Sequence, residues 1–329
     1  MRLDLLKDLY DRNNLKNEDY QYAESLLLGL EKRHLFDAAN LSFDEISEAR
    51  LDSLIETMID HKENTVMAFI VLLRYFHVIS RKDIYIHLTK YIGGLDVIEN
   101  IIDRMEKMVG KDKLDVILGD LSLPYLGTPP KAMPIFTEKF MNRLGKHLSE
   151  SELKKVLTGN NHGVSEKAII PDKLDYENAE SLKSFLKDLH KKKISVLQEY
   201  ADKNKVWFEQ NITKEVIEYV QVNQEILSAT LKDGKLYMTK IPYDTEKYVH
   251  ETDVKMKRYY ACHCPFAREA ILDEKVLISP LWCHCSAGFE KFPFEVIFGK
   301  KLKIKILESA LQGDLKCRFE VSLANVDYK

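Results

Sequence analysis

From residue 1 to about residue 204, apolar side chains recur at intervals of three and four residues. One such stripe consists of Leu51, Leu54, Ile55, Met58 and Ile59, and a second consists of Leu95, Ile98, Ile101, Ile102 and Met105. This spacing puts the apolar side chains on one face of an α-helix. Glycine and proline interrupt the pattern at Gly93-Gly94, at Gly110 and between Pro124 and Pro134, where helices are expected to end. The pattern predicts a helical domain over residues 1–204.

After residue 204 the pattern changes to short strands separated by turns. Asp233-Gly234 lies between two strand-like segments and is a strong signal for a two-residue hairpin turn. A second hairpin is predicted from Leu302–Leu311 and Leu315–Leu323. Further strands are predicted at 259–264, 276–279 and 282–285, and helices at 266–272 and 287–298. The sequence therefore predicts an α/β domain over residues 205–329 and the α+β class for the whole chain.

Alternation in the last hairpin assigns a buried face to each of its strands. The predicted core face carries Leu302, Ile304, Ile306, Glu308 and Ala310 on one strand and Cys317, Phe319, Val321 and Leu323 on the other. If Gly313-Asp314 is a two-residue loop, Cys317 pairs with Ala310. A carboxylate on a core face is costly unless it is paired or bound to a cation. Glu308 is thus either exposed at the end of the strand, a metal ligand, or a polar anchor.

All five cysteines follow residue 261, in two Cys-His-Cys triplets and at Cys317. The triplets are Cys262-His263-Cys264 and Cys283-His284-Cys285. On strands, residues two apart point the same way, so adjacent strands would bring four thiols together. Thiolates with imidazole or carboxylate are the ligands that zinc prefers. The expected metal ligands are Cys264, Cys283, Cys285, Glu308 and Cys317. The alternative is that the thiols are small buried apolar groups.

A nucleophilic role is a further hypothesis, and Cys264 fits it best. It precedes Pro265 and the predicted helix that carries Arg268, and a helix N-terminus lowers the pKa of a thiol. The catalytic candidates are Cys264, Arg268 and His284, and the ligand-binding candidates are Arg268, Trp282 and Phe289. Arg268 would hold a substrate carboxylate or else form an ion pair with Glu269 or Glu290. Residues 160–163 are interpreted as the C-terminal cap of a helix rather than as part of the site.

Charge and length exclude several classes of function. The chain has 329 residues, with 49 basic and 52 acidic side chains and a net charge of −3, so it has no bulk attraction for nucleic acid. The longest apolar run, from Val66 to Leu73, is too short to span a bilayer. The first residues lack the apolar core of a signal peptide, which predicts a cytoplasmic protein with reduced thiols. The expected partner is a small molecule, with no nucleic acid, no membrane, and a homodimer left open.

The C-terminal third resembles a known group of ligand-binding domains. The resemblance rests on Cys283–Phe289, Gly299, Leu307–Asp314 and Cys317-Arg318-Phe319. This pattern resembles the 4-vinyl reductase-type small-molecule-binding domain and its L-2-amino-thiazoline-4-carboxylic acid hydrolase-like relatives. The resemblance implies an antiparallel sheet with helices packed on one face, enclosing a ligand pocket. The whole chain is also similar to uncharacterised bacterial and archaeal proteins that share the segment from Cys262 to Glu269.

Some sensor members of that group bind zinc through a glutamate and three cysteines. Carried over to this chain, the resemblance implies Glu308, Cys317, and either Cys283 or Cys285 as ligands. The middle cysteine of the family pattern falls on Leu311, so Cys262 or Cys264 would have to replace it. Zinc is the cofactor that the resemblance implies.

Three functions follow from these observations. The first is a small-molecule-binding protein with a cysteine-rich zinc site in its C-terminal domain. The second is a hydrolase that acts on a small carboxylate-bearing molecule, with a cysteine nucleophile or a metal-activated water in the same pocket. The third is a regulatory or interaction protein that works through its helical half.

Overall fold

The computed structural model describes residues 1–36 and 42–329. Within these residues the chain forms fifteen α-helices and six β-strands, and the first strand begins only at Val206. The predicted α+β class is confirmed. The chain divides into two compact units, one of Met1–Gly93 with Pro124–Pro130 and the other of Gly94–Leu123 with Lys131–Lys329. The predicted boundary at 204/205 falls inside the second unit.

The first unit is helical. Its helices are α1 (Leu3–Arg12), α2 (Asn17–Leu30), α3 (Glu48–Asp60), α4 (Val66–Val78) and α5 (Lys82–Thr89). Ser47 and Thr65 each accept a hydrogen bond from a backbone N–H in the first turn of the following helix, which fixes where α3 and α4 begin. Leu54 and Ile55 of the predicted stripe are buried, as are Phe69 and Leu72 of α4.

The second unit contains the remaining helices and all the strands. Its helices are α6 (Val97–Val109), α7 (Lys111–Leu118), α8 (Met133–His147), α9 (Glu150–Leu157), α10 (Ile170–Asn178), α11 (Leu182–Asp202), α12 (Lys214–Gln221), α13 (Thr245–His250), α14 (Val254–Ala261) and α15 (His284–Phe298). Helix α11 precedes residue 205, yet its apolar face packs on the sheet of the C-terminal region. This shared core is why the second unit extends across the predicted boundary.

The strands form a two-stranded and a four-stranded antiparallel sheet. They are β1 (Val206–Trp207), β2 (Gln210–Asn211), β3 (Thr230–Lys232), β4 (Lys235–Thr239), β5 (Lys303–Glu308) and β6 (Arg318–Ser322). The order in the larger sheet is β3-β4-β6-β5. Asp233 and Gly234 connect β3 to β4 with φ values of 51° and 69°. Two successive positive φ angles are what the predicted hairpin turn requires, so this prediction is confirmed.

One face of the larger sheet is covered by helices α11 and α15. Val321 pairs with Ile304, Phe319 pairs with Ile306, and these side chains point into the core. Phe185 of α11 and Phe294 of α15 complete that core, while lysines occupy the alternate positions 303 and 305. The predicted alternation of β5 and β6 is confirmed.

The predicted loop of the last hairpin is wrong. Strand β5 ends at Glu308, which pairs with Arg318 after a register shift, and a 3-10 turn follows at Ala310–Gln312. Asp314 accepts a hydrogen bond from the Ser309 backbone N–H at 2.7 Å, and its own N–H donates to the Ser309 carbonyl. These bonds close a longer loop over residues 309–317. Cys317 therefore precedes β6 and does not pair with Ala310.

The strands predicted around the two Cys-His-Cys triplets are also wrong. Asp253 accepts a hydrogen bond from the Met256 N–H at 2.8 Å and caps α14, which runs to Ala261. Ser279 and Pro280 start a 3-10 turn that leads directly into α15. Local capping outweighs the strand propensity of the intervening residues. No strand forms at 276–279, and the helix predicted at 266–272 is only a 3-10 turn over Arg268–Ile271.

No helix in residues 1–36 or 42–329 combines the length and the apolar character that a membrane span needs.

Helix α15 makes a very close backbone contact with the end of α9. A Cβ atom at Gly288 would lie 2.4 Å from the Gly159 carbonyl oxygen and 2.7 Å from the Thr158 carbonyl carbon. These are backbone atoms, so the neighbour cannot swing aside as a flexible side chain would. Only glycine at position 288 permits this approach.

We expect Gly288→Ala to lower the free energy of unfolding by about 1–3 kcal/mol, since overpacking a rigid contact has that cost. Gly145→Ala in α8 is the matched control, because a Cβ there meets no atom within 4 Å. The control should be stabilising by about 0.5–1 kcal/mol, as for other helical Gly-to-Ala changes. Urea unfolding of both variants measures the difference. Equal effects of the two substitutions would contradict the close contact.

Glu225 holds the sheet next to Cys317. Its carboxylate accepts two hydrogen bonds from the Arg318 guanidinium, both at 2.7 Å, and a third from the Thr239 hydroxyl at 2.7 Å. Burial acts to raise the pKa of Glu225, but the bonds from Arg318 and Thr239 outweigh it, and the pKa is lowered. The charged carboxylate therefore stabilises the fold above its ordinary pKa of 4.5.

At pH 7, we expect Glu225→Gln to lower the free energy of unfolding by about 1.5–3 kcal/mol, the usual contribution of hydrogen bonds to a charged group. The difference from wild type should shrink as the pH falls below 4.5, because the unfolded chain then binds a proton at Glu225, whereas the folded protein, in which this pKa is lowered, binds it only at a lower pH. Urea titrations at several pH values test this. Glu320→Gln, which removes the ion pair with Lys235 at 2.9 Å and weakens the hydrogen bond from the Tyr237 hydroxyl at 3.3 Å, should have an effect below about 1 kcal/mol.

Candidate functional site

All five cysteines line one cavity in the second unit. The cavity has a volume of about 50 Å³, which is room for a few water molecules. Its polar wall is formed by His162, Lys240, Cys262, His263, Cys264, Cys283, Cys285, Ser286, Glu308, Ser309 and Cys317. Its apolar wall includes Phe266, Trp282, Leu311 and Phe319. The residues come from segments far apart in sequence, so the fold assembles the site.

Cys262 and Cys264 reach the cavity from the chain that leaves α14. The helix ends at Ala261, and Cys262 takes an extended conformation at its C-cap. The Cys264 carbonyl then accepts hydrogen bonds from the N–H groups of Ala267 and Arg268, which closes a tight turn. The indole N–H of Trp282 donates to the Cys264 sulfur at 3.2 Å. All three residues of this triplet line the cavity, although they do not lie on a strand.

Cys283 and Cys285 stand at the start of α15. The Cys283 sulfur is 3.2 Å from the Ser309 hydroxyl. The Cys285 sulfur lies 3.6 Å from His162 Nε2 and 3.9 Å from Asn161 Nδ2. These contacts tie α15 to the loop after β5 on one side and to the end of α9 on the other.

Cys317 and Glu308 come from the two ends of the β5–β6 loop. Both line the cavity, but Glu308 pairs with Arg318 after the register shift, so it does not share a face with Cys317 and Phe319 as the predicted alternation had it. The Glu308 side chain is 33% exposed, and its carboxylate lies 3.7 Å from Lys316 Nζ and 3.9 Å from Arg318 Nη1. Glu308 thus lies at the end of β5, at the rim of the site, and Lys316 and Arg318 compensate its charge.

Burial governs the charge state of the thiols. It raises the pKa of all five, to about 12 for Cys285. A negative charge on Cys264 would further raise the pKa of Cys262, Cys283, Cys285 and Cys317, so Cys264 is the central member of the cluster. The helix dipole expected to activate Cys264 is not available from a 3-10 turn, and the pKa of this thiol is raised rather than lowered.

Two imidazoles face the same cavity and are kept neutral. Burial and then the charge of Lys240 lower the pKa of His263 to about 3, and its Nε2 atom is buried without a hydrogen-bond partner. The same two causes lower the pKa of His162, whose ring packs edge-on against Phe289 with centroids 5.0 Å apart. A neutral imidazole with a bare nitrogen is able to accept a proton or a metal ion.

Three candidate residues do not line the cavity. Arg268 is buried, and its guanidinium stacks 3.7 Å from the centroid of the Tyr243 ring, with Glu269 Oε1 at 3.8 Å from Nε. His284 points away at the start of α15, where burial lowers its pKa. Phe289 contributes indirectly, through the His162 ring. Trp282, by contrast, lines the cavity and is buried.

Sequence reasoning missed Lys240, His162 and Ser309. Lys240 is a single lysine after a strand, and no local pattern distinguishes it from a surface lysine. Residues 160–163 do cap α9, since Asn161 Nδ2 donates to the Leu157 carbonyl at 2.7 Å, and Gly163 has a φ of 61°. The cap also carries His162 to Cys285, so the segment has both roles that were weighed. Ser309 follows Glu308 in the loop that was predicted too short.

No group of three or more His, Cys, Asp or Glu side chains in residues 1–36 and 42–329 is arranged to hold a metal ion. The thiols converge on the cavity, but their present rotamers do not form a coordination sphere.

The fold and the cavity define a helical and antiparallel α+β unit with a thiol-lined interior. Residues 209–327 of this chain match the model of a family of unknown function (DUF6144). The matched segment contains the five cysteines and Lys240, and it is the C-terminal region that is similar to this family. No curated protein and no solved structure matches the chain.

The raised thiol pKa values predict slow alkylation of the native protein. Each pKa unit above the ordinary value lowers the reactive thiolate fraction about tenfold at neutral pH. We therefore expect iodoacetamide at pH 7 to modify all five cysteines at least about tenfold more slowly than in guanidinium-unfolded protein. Mass spectrometry of peptides reports each cysteine separately. A single cysteine that reacts faster in the native state would instead indicate an activated nucleophile.

Proposed function

We propose that the second unit binds a small molecule in its thiol-lined cavity and holds zinc there. The observation that carries this proposal is the convergence of five thiols and two neutral imidazoles on one cavity of about 50 Å³. Small-molecule sites are typically enclosed, mostly apolar, and contain a few convergent polar groups. The resemblance of residues 283–319 to 4-vinyl reductase-type domains, which implies such a pocket, supports the same function.

The electrostatics of the cavity support a bound cation. Five thiols, of which those of Cys262 and Cys285 are buried and the others partly buried, have raised pKa values, and the buried Nε2 of His263 has no hydrogen-bond partner. A zinc ion would stabilise thiolates, release their protons and accept a neutral imidazole. Cys262, Cys264, Cys283 and Cys317 are the proposed ligands, because all four line the cavity and, unlike Cys285, none of them contacts His162 or Asn161. Binding would require their side chains to turn towards a common centre.

This ligand set differs from the one expected from sequence at three residues, since Cys262 is added and Cys285 and Glu308 are left out. Cys262 replaces the family cysteine that falls on Leu311, which was one of the two options. Cys285 is engaged with His162 and Asn161, and Glu308 is balanced by Lys316 and Arg318, so both are proposed as neighbours of the ion.

We expect protein purified without added zinc to contain about one zinc per chain by mass spectrometry of the metal. A chelator should lower the melting temperature and zinc should restore it, because metal binding is linked to folding. The Cys283→Ser, Cys317→Ser double variant should lose the metal, whereas the single Cys285→Ser control should keep it. Absence of zinc in the wild type, together with no uptake on titration, would rule out the metal part of the proposal.

Of the two hydrolase mechanisms, a cysteine nucleophile and a metal-activated water, the first is disfavoured. A thiol nucleophile needs a lowered pKa, and burial raises the pKa of every thiol in the cavity. A metal-activated water in the same pocket stays compatible with the proposed zinc site. We propose the cytoplasm as the compartment of this activity, because five free thiols are compatible with a reducing environment.

A further inference from the structure

Lys240 brings a positive charge to the cavity. Among the described residues that line it, Lys240 is the one lysine or arginine. It follows β4 directly, and its backbone N–H donates to the Cys317 carbonyl at 2.9 Å. The sheet therefore fixes the position of Lys240 relative to the thiols. Its side chain is only 14% exposed.

The charge of Lys240 is incompletely compensated by the protein. Its Nζ atom donates to the Ser286 hydroxyl at 3.0 Å, while Glu290 Oε1 lies 3.8 Å away, beyond hydrogen-bond distance. An ammonium group has three donors, so one bond to Ser286 leaves donor capacity. Burial raises the pKa of Glu290, which makes this carboxyl a weaker counter-charge. The face of Phe289, 5.1 Å from Nζ, adds only a cation–π contact.

The carboxylate of Glu308 does not supply the missing charge. Glu308 also lines the cavity, but Lys316 and Arg318 lie 3.7 Å and 3.9 Å from it. Thiols, imidazoles, serines and apolar side chains make up the remainder of the wall. A lysine in an enclosed cavity of low polarity attracts an anion more strongly than a surface lysine does.

We propose that the ligand of this cavity is a small carboxylate whose charged end is held by Lys240 and Ser286. This inference deepens the proposed function and rests on it. The volume of about 50 Å³ limits the ligand to a few heavy atoms, and Phe266 and Trp282 offer an apolar wall for a short chain. Lys240 takes the role that the sequence suggested for Arg268, which is stacked on Tyr243 outside the cavity.

Ligand-observed NMR of the full-length protein tests this with acetate and propionate as probes. Acetamide and propionamide have the same shape without the charge, so they are the matched neutral probes. A hydrogen bond to a charged group is worth about 1.5–3 kcal/mol, which corresponds to a loss of at least about tenfold in affinity. We expect that loss for the amides, and for the acids in Lys240→Met. Lys235→Met, on the same strand but 41% exposed, should bind the acids as the wild type does.

The comparison of acid and amide in the wild type needs no variant and is decisive by itself. Equal binding of acid and amide, or no binding of either acid, would overturn the proposal. So would acid binding in a folded Lys240→Met protein that equals the wild type, with folding checked by its thermal melt. Zinc content is measured on the same samples. If the protein contains zinc but does not bind the acids, only the carboxylate proposal fails. If it binds the acids but contains no zinc, only the metal part of the proposed function fails.

Discussion

The site depends on one backbone contact, between Gly288 and the Thr158–Gly159 segment. This contact sets how far α15 advances along the end of α9, and α15 carries Cys283 and Cys285 at its first turn. On the other side of the contact, the cap of α9 carries His162 to within 3.6 Å of the Cys285 sulfur. A side chain at position 288 would push the two segments apart. The packing of two helices thus determines the geometry of a polar cluster.

Most of the ionisable side chains in the cavity that this packing creates are kept neutral. Burial favours the neutral form of every thiol and of both imidazoles, while Lys240 stays as the cation at the edge. Such a cavity is suited to a ligand that carries its own charge. A cation would convert thiols to ligands, and a carboxylate would pair with the lysine. The two proposals use different side chains of one cavity and are compatible with each other.

Local signals in the sequence were sufficient for part of this structure. Asp233-Gly234 identified a hairpin, and alternation placed Phe319 and Val321 in the core. The confinement of all cysteines to residues 262–317 indicated one site. The predicted register of Cys317 was wrong, because the hydrogen bonds between Ser309 and Asp314 that lengthen the loop depend on tertiary placement. Lys240 could not be found, and His162 was interpreted as part of a helix cap, since the proximity of both to the thiols arises only from packing.

The strand order determines when the sheet can be completed during synthesis of the chain. Strand β6, at Arg318–Ser322, lies between β4 and β5 although it is synthesised last. A growing chain therefore has no complete sheet, and Lys240 has no Cys317 carbonyl to bind, until β6 has left the ribosome. The cavity closes only after β6 is made, so a nascent chain that ends before β6 would expose its thiols to oxidants.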